Sequence, residues 1–256
     1  MKANYHTHTW RCMHAAGTER EYVERAIESG LKILGFSDHT PYPFPEGYHS
    51  GMRMRVEQLE DYVDTVLALK KEYQRDIEIH LGLETEYYPA YFDQLQKLAA
   101  KYPVEYFLLA QHCLGNEIKE TWCGAETADP QVLKRYCAQT GEAMETGYFT
   151  YFAHPDLIHF TGDGEIYEKE MRKLCQKANA CGLPLEINFL GLYEGRHYPD
   201  ERFWKIAGEE GNRVIFGIDA HEPDAFSRIQ VRRAAEDMVE KYGLSLTETV
   251  DFARPV

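Results

Sequence analysis

Near its start the chain carries the stretch Asn4-Tyr5-His6-Thr7-His8-Thr9, in which two histidines are two residues apart. Successive side chains of a β-strand point to opposite faces, so His6 and His8 would point to the same face if this stretch is a strand. A third histidine, His14, follows on a predicted loop. A His-x-His pair taken alone is as readily explained by the polar face of a strand. The rest of the chain has to decide between a polar strand face and a metal site.

Further candidate ligands occur where apolar runs end. Each run is short enough for a buried strand, and segments with helical periodicity separate one run from the next. The motifs at the ends of these runs are, in chain order, Ser37-Asp38-His39, Gly82-Leu83-Glu84, Gln111-His112, Ala153-His154-Pro155-Asp156, Glu186-Ile187-Asn188 and Ile218-Asp219-Ala220-His221. Together with His6, His8 and His14 near the start of the chain, these motifs contain seven of the eleven histidines, which favours a shared site over a scattered polar surface.

Local signals at helix and strand ends agree with this alternation. Residues 18–21 (Thr-Glu-Arg-Glu) have the spacing of a capping box, and a proline suits the first position of the helix predicted over residues 130–144. A strand over residues 76–84 alternates apolar and polar side chains, and its period places Glu84 at the carboxyl end. A last helix is predicted over residues 223–241. Strands and helices are therefore expected to alternate along the whole chain.

Seven predicted strands separated by helices indicate an α/β fold. Such β-strand–helix–β-strand units cross over in the right-handed sense and build a parallel sheet. When the sheet closes into a barrel, the carboxyl ends of its strands meet at one mouth, where barrel enzymes keep their catalytic residues. We expect a TIM-like (β/α)7 barrel with parallel strands and one domain over residues 1–256, with the strand-end motifs at the mouth.

The composition restricts the class of function. Forty-two acidic and 28 basic residues give a net charge of −14, which repels phosphate backbones and argues against nucleic acid as a partner. A small anionic substrate would need a local positive centre, which bound metal supplies. No stretch approaches the roughly 20 apolar residues of a membrane helix. With no Cys-x-x-Cys pair and no export signal, we expect reduced thiols in the cytoplasm, and the oligomeric state stays open.

Taken together, the motifs resemble those of the PHP (polymerase and histidinol phosphatase) family, specifically its histidinol-phosphate phosphatase branch. The matching elements are His-x-His with a trailing Cys-x-His, Ser-Asp-His, Gly-x-Glu, an isolated His, Ala-His-Pro-Asp and Asp-Ala-His, and they extend over nearly the whole chain. The resemblance implies a distorted seven-stranded barrel that holds two or three divalent metal ions, with zinc, iron and manganese as the candidates.

The resemblance also implies which residues bind metal. One ion would be held by His6, His8, Glu84 and Asp219, a second by Glu84, His112 and His154, and a third by His14, His39 and His221. Imidazole and carboxylate ligands suit zinc, iron or manganese. The nearby Cys12 and Cys113 are interpreted as packing residues. Asp219 and His221 are catalytic candidates among the ligands, and Asp38 is expected to orient a ligand histidine or to transfer a proton.

Hydrolysis of a phosphomonoester is the implied reaction. Closely spaced cations would lower the pKa of a bridging water from ~15.7 towards neutrality, so that a hydroxide attacks phosphorus while the cations hold the phosphate oxygens. We expect hydrolysis of L-histidinol phosphate to L-histidinol and phosphate in histidine biosynthesis. The alternatives are a PHP-family phosphoesterase acting on a nucleotide, a phosphotyrosyl peptide or a nucleic-acid end, and a non-catalytic metal-binding module.

Contacts to a small phosphorylated metabolite are sought among arginines on predicted loops, because a guanidinium binds phosphate in a bidentate fork. The candidates are Arg11, Arg53, Arg55 and Arg196, each of which is also open to interpretation as a solvated surface residue. In the histidinol phosphatases an arginine is expected where this chain has Tyr193, and Arg196 follows three residues later. This departure concerns the substrate and leaves the metal site unaffected. The alternative contact for an imidazole-bearing substrate is stacking on an aromatic ring of the loops, for which the candidates are Tyr42, Phe44, Tyr48 and Trp122, although aromatic residues in such loops are as often packing residues.

Overall fold

The computed structural model describes residues 1–118 and 121–253, and this part of the chain contains an eight-stranded parallel sheet in sequential order. Each strand pairs with the next strand along the chain, as expected for right-handed crossovers. The strands are β1 (Ala3–Asn4), β2 (Ile33–Phe36), β3 (Glu78–Thr85), β4 (Tyr106–Leu109), β5 (Phe149–Phe152), β6 (Leu185–Asn188), β7 (Arg213–Gly217) and β8 (Ser245–Leu246).

Helices connect the strands and cover the outside of the sheet. They are α1 (Glu19–Glu28), α2 (Leu59–Glu72), α3 (Phe92–Ala99), α4 (Pro130–Glu145), α5 (Gly164–Ala180), α6 (Phe189–Glu194), α7 (Glu201–Glu209) and α8 (Ile229–Tyr242). The predicted capping box opens α1: the Glu21 carboxylate accepts from the Thr18 backbone N–H at 2.7 Å, and the Thr18 hydroxyl accepts from the Glu21 N–H. Among the described residues, none of the helices combines the length and the apolar character needed to cross a bilayer.

Hydrogen bonds join the first and seventh strands at their carboxyl ends. The N–H of His8 donates to the carbonyl of Ala220 at 2.9 Å, and the N–H of Ala220 donates to the carbonyl of His6 at 3.2 Å. The predicted TIM-like parallel barrel is confirmed, but the described residues contain eight strands and not seven. The eighth strand, β8, is two exposed residues paired with the start of β7, so no apolar run in the sequence indicates it.

The final predicted helix, over residues 223–241, is two elements in the structure. Pro223–Ser227 forms a 3-10 turn, and α8 begins only at Ile229. Arg228 lies between them with φ −80° and ψ 69°, which is outside the helical region. The proline does mark the start of a helical turn, as predicted, but the chain bends before the long helix begins.

Below the mouth, the barrel interior is filled by aromatic and small side chains. The hydroxyl of the buried Tyr106 donates to the carbonyls of Tyr5, at 2.7 Å, and Phe36, at 3.0 Å. Its ring occupies the space beside Gly35 and Gly82, where an added Cβ would lie 2.2 and 2.3 Å from Tyr106 atoms. The interior is therefore closed at this level, and the polar ligands lie above it at the carboxyl ends of the strands.

Candidate metal centre

All nine predicted metal ligands lie at the carboxyl-terminal end of the barrel. His6 and His8 follow β1, His14 follows a short 3-10 turn, His39 follows β2, Glu84 is in β3, His112 follows β4, His154 follows β5, and Asp219 and His221 follow β7. A cavity of about 670 Å³ opens here, and seven of the nine ligands line it. His6 and His8 are fully buried beneath it. Residues more than 200 positions apart thus meet in one place, which is the geometry that the strand-end motifs predict.

Glu84 is at the centre of this group. Its Oε1 lies 2.8 Å from His154 Nε2, 3.2 Å from His6 Nε2 and 3.7 Å from His112 Nε2, and its Oε2 lies 2.7 Å from His39 Nδ1 and 3.5 Å from His8 Nε2. The two oxygens of the carboxylate therefore face different histidines. One carboxylate thus contacts two separate groups of histidines.

Asp219 forms the opposite wall of the centre. Its Oδ1 lies 3.1 Å from His8 Nε2, 3.4 Å from His6 Nε2 and 3.3 Å from His221 Nδ1. The amide of Asn188, at the end of β6, donates to the other oxygen at 3.0 Å. Asp219 and His154 both have positive φ, 53° and 31°. Non-glycine residues rarely adopt this conformation, and those that do are concentrated at functional sites.

Several triads of donor atoms are close enough to share one cation. Within each triad the donor atoms lie within 4.8 Å of one another: His6, His8 and Asp219; His6, Glu84 and His154; His8, His39 and Glu84; and His14, His39 and His221. The fully buried sulfur of Cys12 forms a similar group with His8 and His221. Cys12 was expected to be a packing residue beside the ligands, and its sulfur in fact faces two of them.

Five buried polar atoms that face one another in the centre lie close together but make no hydrogen bond of acceptable geometry with any described residue. They are His6 Nε2, His8 Nε2, His39 Nδ1, Glu84 Oε2 and Asp219 Oδ1. A buried polar atom without a partner costs free energy, and such atoms are rare in folded proteins. These five face a common space and are nitrogen and oxygen donors of the kind that zinc, iron and manganese accept. The residues therefore fit a cluster of divalent cations.

Imidazoles and carboxylates in the centre shift one another's protonation. Burial by itself lowers the pKa of His6, but the carboxylates of Asp219, Glu186 and Glu84 outweigh it and raise that pKa well above its ordinary value. Burial by itself raises the pKa of Glu84, but His39 and His6 lower it well below its ordinary value. Burial lowers the pKa of His39 to about 4 despite the opposing Glu84 charge. The carboxylates are thus held as anions, and His39 is held as a neutral imidazole that can act as a ligand.

Three buried carboxylates lie behind the ligand histidines. Glu186 Oε2 accepts from His6 Nδ1 at 2.9 Å, Asp38 Oδ1 from His8 Nδ1 at 3.4 Å, and Glu86 Oε1 from His112 Nδ1 at 2.8 Å. Such a contact fixes the hydrogen on Nδ1 and leaves Nε2 free to bind a cation. The sequence predicted a contact of this kind for Asp38 but assigned no role to Glu86. The sequence does contain an indication of this role: Glu86 lies two residues after Glu84, so in an extended chain the two side chains point to the same face.

The four candidate arginines lie in the described ranges, and Arg196 lines the cavity. Arg11 is buried and does not line the cavity, and its guanidinium is bonded to Glu19 and Asp61. Arg53 is also buried, between two carboxylates. Arg55 is exposed, and its backbone N–H donates to the Gln58 side chain at 2.9 Å. The structure therefore does not bring Arg11, Arg53 or Arg55 to the cavity, because two are occupied by acidic partners and the third faces solvent.

Other side chains line the cavity around the metal ligands. Arg196 Nε donates to Glu194 at 2.7 Å, and its Nη1 donates to the Tyr198 hydroxyl at 2.5 Å. Trp122 stacks on His112 with ring centroids 5.5 Å apart and an interplanar angle of 10°. The remaining lining residues include Met52, Leu157, Leu190 and His197. Sequence patterns did not indicate Glu194 or the two leucines. Leu190 and Glu194 lie on the short helix α6 and Leu157 lies on a loop, and no motif marks these positions.

The aromatic residues of segment 40–55 pack on one another and not in the cavity. The rings of Tyr42 and Phe44 stack with centroids 5.4 Å apart, and Phe44 meets Tyr48 edge to face at 5.3 Å. Of the four aromatic residues that the sequence offers for stacking on a substrate, only Trp122 lines the cavity.

The sequence of this chain is similar to those of known proteins. The model of the PHP domain matches residues 4–189. The probable histidinol-phosphatase of Deinococcus radiodurans is 30% identical over 224 residues, which cover 85% of each chain. The histidinol-phosphatase of Bacillus subtilis is 24% identical, over 86% of this chain and 94% of the relative.

A solved structure shares the fold over the full length. It is the histidinol phosphate phosphatase of Lactococcus lactis in complex with zinc, L-histidinol and phosphate, which aligns with a TM-score of 0.74 over 99% of this chain and 98% of that one at 18% identity. The match to the PHP domain extends from the residues before the His-x-His pair to the start of α6 and includes seven of the nine candidate ligands. The chain belongs to the PHP domain family.

Proposed function

We propose that this protein is a metal-dependent phosphomonoesterase that hydrolyses L-histidinol phosphate to L-histidinol and phosphate in histidine biosynthesis. The observation that carries the proposal is the convergence of nine nitrogen and oxygen ligands around Glu84 at the mouth of one cavity. The names of the Deinococcus and Bacillus relatives support this substrate. All six cysteines lie in the described ranges as free thiols, which supports a reducing, cytoplasmic location.

The nine candidate ligands would form three sets, of which the first two share Glu84. His6, His8, Glu84 and Asp219 would hold one cation, Glu84, His112 and His154 a second, and His14, His39 and His221 a third. When bound, these cations would activate water for attack at phosphorus and neutralise charge on the phosphate oxygens. Zinc, iron and manganese all suit such ligands.

The chain's own carboxylates orient the ligand histidines. Asp38 is fully buried behind His8, and its second oxygen accepts from the Thr9 hydroxyl. We therefore assign Asp38 an orienting role and not direct proton transfer to the substrate. Asp219 and His221 line the cavity, so they are the two catalytic candidates whose side chains can contact a bound phosphomonoester.

Arg196 is the proposed phosphate contact. It is paired with Glu194, and the two side chains are 39% and 45% exposed. An ion pair so exposed to water contributes little free energy, roughly 0–1 kcal/mol, and can be exchanged for a charge-assisted bond to phosphate. Trp122, stacked on His112, offers an aromatic face for the imidazole of the substrate.

A substrate panel with measured metal content tests the proposal. We expect histidinol phosphate to have the highest kcat/KM, phosphate release to stop with a chelator, and Arg196→Met to raise KM, with the exposed Arg55→Met as the control. If histidinol phosphate ranks among the poorest substrates, the activity belongs to another class, such as nucleotides or phosphotyrosyl peptides. Bound metal without turnover of any phosphoester would indicate a binding module.

A further inference from the structure

Arg53 lies in the irregular segment 40–55 between β2 and α2, and its side chain is only 1% exposed. Its Nη1 donates to the Thr40 carbonyl and to Glu86 Oε2, both at 3.0 Å. Its Nη2 donates to Glu86 Oε1 at 2.9 Å, and its Nε donates to Glu117 Oε2 at 2.8 Å. A buried guanidinium is costly unless it is paired and hydrogen-bonded, so this set of contacts holds Arg53 in one conformation.

Glu86 connects this guanidinium to a candidate metal ligand. The Oε1 that accepts from Arg53 also accepts from His112 Nδ1 at 2.8 Å. The hydrogen of the imidazole is thereby fixed on Nδ1, and Nε2 faces Glu84, 3.7 Å from its Oε1. The bidentate contact from Arg53 prevents the Glu86 carboxylate from rotating away from the imidazole. Arg53 therefore acts on His112 through one intervening side chain.

Glu117 connects the same guanidinium to the segment that follows His112. Its carboxylate also accepts from the hydroxyl of Tyr48, at 3.1 Å, so segment 40–55 contacts Glu117 at two points. Met52, beside Arg53, lines the cavity. One buried side chain thus joins segment 40–55 to the ends of β3 and β4, which supply the ligands Glu84 and His112.

We propose that Arg53 is a positioning residue that couples the conformation of segment 40–55 to cation binding at His112. The proposal rests on the proposed function, because that function requires a cation at His112. The imidazole of His112 would hold such a cation, and its fixed orientation would in turn hold Glu86, Arg53 and the segment in place. Coupling of this kind is reciprocal, so an ordered segment must equally strengthen cation binding.

The test compares Arg53→Met with Arg55→Met, a matched change two residues away at an exposed side chain. Zinc retained per chain is measured against a competing chelator, without substrate. Loss of a partner that orients a ligand histidine weakens metal binding by about 10- to 100-fold. We therefore expect Arg53→Met to bind one zinc equivalent more weakly by this factor and Arg55→Met to bind zinc with wild-type affinity. Hydrogen exchange across segment 40–55 should slow on zinc addition in the wild type and in Arg55→Met, and not in Arg53→Met.

Wild-type zinc affinity in a folded Arg53→Met variant would overturn the proposal and leave Arg53 a purely structural contact. If Arg53→Met does not fold, Glu117→Ala provides the test, because it keeps the contacts from Arg53 through Glu86 to His112. We expect that variant to bind zinc more weakly than the wild type, by less than about 10-fold, and to lose part of the zinc-dependent protection of segment 40–55. Full protection would overturn the coupling. Neither readout uses substrate, so a failure of histidinol phosphate as substrate does not alter them, whereas a wild type without bound cation overturns both proposals.

Discussion

Nδ1 of His6 lies 2.9 Å from Oε2 of Glu186, beneath the cavity, and the other ring nitrogen faces Glu84 and Asp219. A carboxylate only accepts hydrogen bonds, so Nδ1 keeps its hydrogen, and Nε2 is the nitrogen that would give up its proton to a cation. Glu186 is fully buried and is itself held by the Asn188 amide at 2.8 Å. This contact decides which nitrogen of His6 can bind a cation.

Replacement of Glu186 should therefore weaken cation binding. We expect Glu186→Ala to reduce the affinity for zinc by about 10- to 100-fold, because His6 loses the partner that fixes its tautomer. The measurement is a zinc competition titration, with Glu194→Gln, at the cavity rim, as the control. An affinity equal to that of the wild type would show that packing alone orients His6.

Asp219 should be essential for turnover. Because Asp219 has a φ of 53°, which asparagine tolerates better than alanine, Asp219→Asn is the substitution that best preserves the backbone. We expect the variant to fold normally, to bind less metal and to lose phosphate release from histidinol phosphate. Metal analysis and a phosphate assay on the same sample check this. Activity near the wild-type level would contradict a role for the Asp219 charge in the centre.

Metal removal should lower thermal stability. Cations bound only by the folded state stabilise it, by about 2.7 kcal/mol per site when free metal is 100 times the dissociation constant. The buried Glu84 and Asp219 also lose their compensating charge when metal leaves. Thermal unfolding with zinc and with chelator measures the difference, which should shrink in Asp219→Asn. Equal melting temperatures would mean that the folded centre does not bind metal.

Acid should weaken the contact between β3 and β4 through Glu105. Burial by itself raises the pKa of Glu105, but hydrogen bonds from His80, Lys70 and the Leu81 N–H outweigh it and lower that pKa from 4.5 to about 2. The folded-state pKa is below the unfolded one, so the stabilisation is present above about pH 4.5 and is lost as the pH falls towards 2.

We expect Glu105→Gln to lower the free energy of unfolding near pH 6 by on the order of 1–3 kcal/mol. The difference from the wild type should vanish near pH 2, where Glu105 itself becomes protonated. Denaturant unfolding across this pH range measures it, and Glu60→Gln, on the exposed side of α2, serves as the control. A difference independent of pH would show that the Glu105 charge does not contribute.

Gly82 should not tolerate a side chain. An added Cβ would lie 2.3 to 2.5 Å from three atoms of the Tyr106 ring, and the hydroxyl bonds of Tyr106 prevent that ring from moving aside. We expect Gly82→Ala to lower the free energy of unfolding by about 1–3 kcal/mol or more, measured by urea denaturation.

The matched change Gly141→Ala lies in α4, where no other described atom outside the helix backbone comes within 4 Å of the added Cβ. Alanine favours the helix there, so we expect stability to rise by up to about 1 kcal/mol. Similar effects of the two alanines would contradict the packing of Tyr106 against Gly82.

Local sequence patterns are enough to predict the alternating strands and helices and the ends where ligands occur. The sequence predicts that His6 and His8 point to the same face and that Glu84 lies at a strand end, because side-chain direction in an extended chain repeats every second residue. The end of the chain is harder to predict. β8 is exposed and two residues long, and the break at Arg228 leaves no mark in the apolar pattern.

The sequence by itself determined the parallel barrel and the kind of side chain at each strand end, because apolar periodicity and ligand chemistry are properties of neighbouring residues. Only the tertiary structure decided which arginine faces the cavity and which carboxylate lies behind each histidine. Arg53 and Arg196 are chemically alike, yet one is enclosed by Glu86 and Glu117 and the other lines the open mouth. The partners of such side chains come from segments far away in the chain, and only the closed barrel brings them into contact.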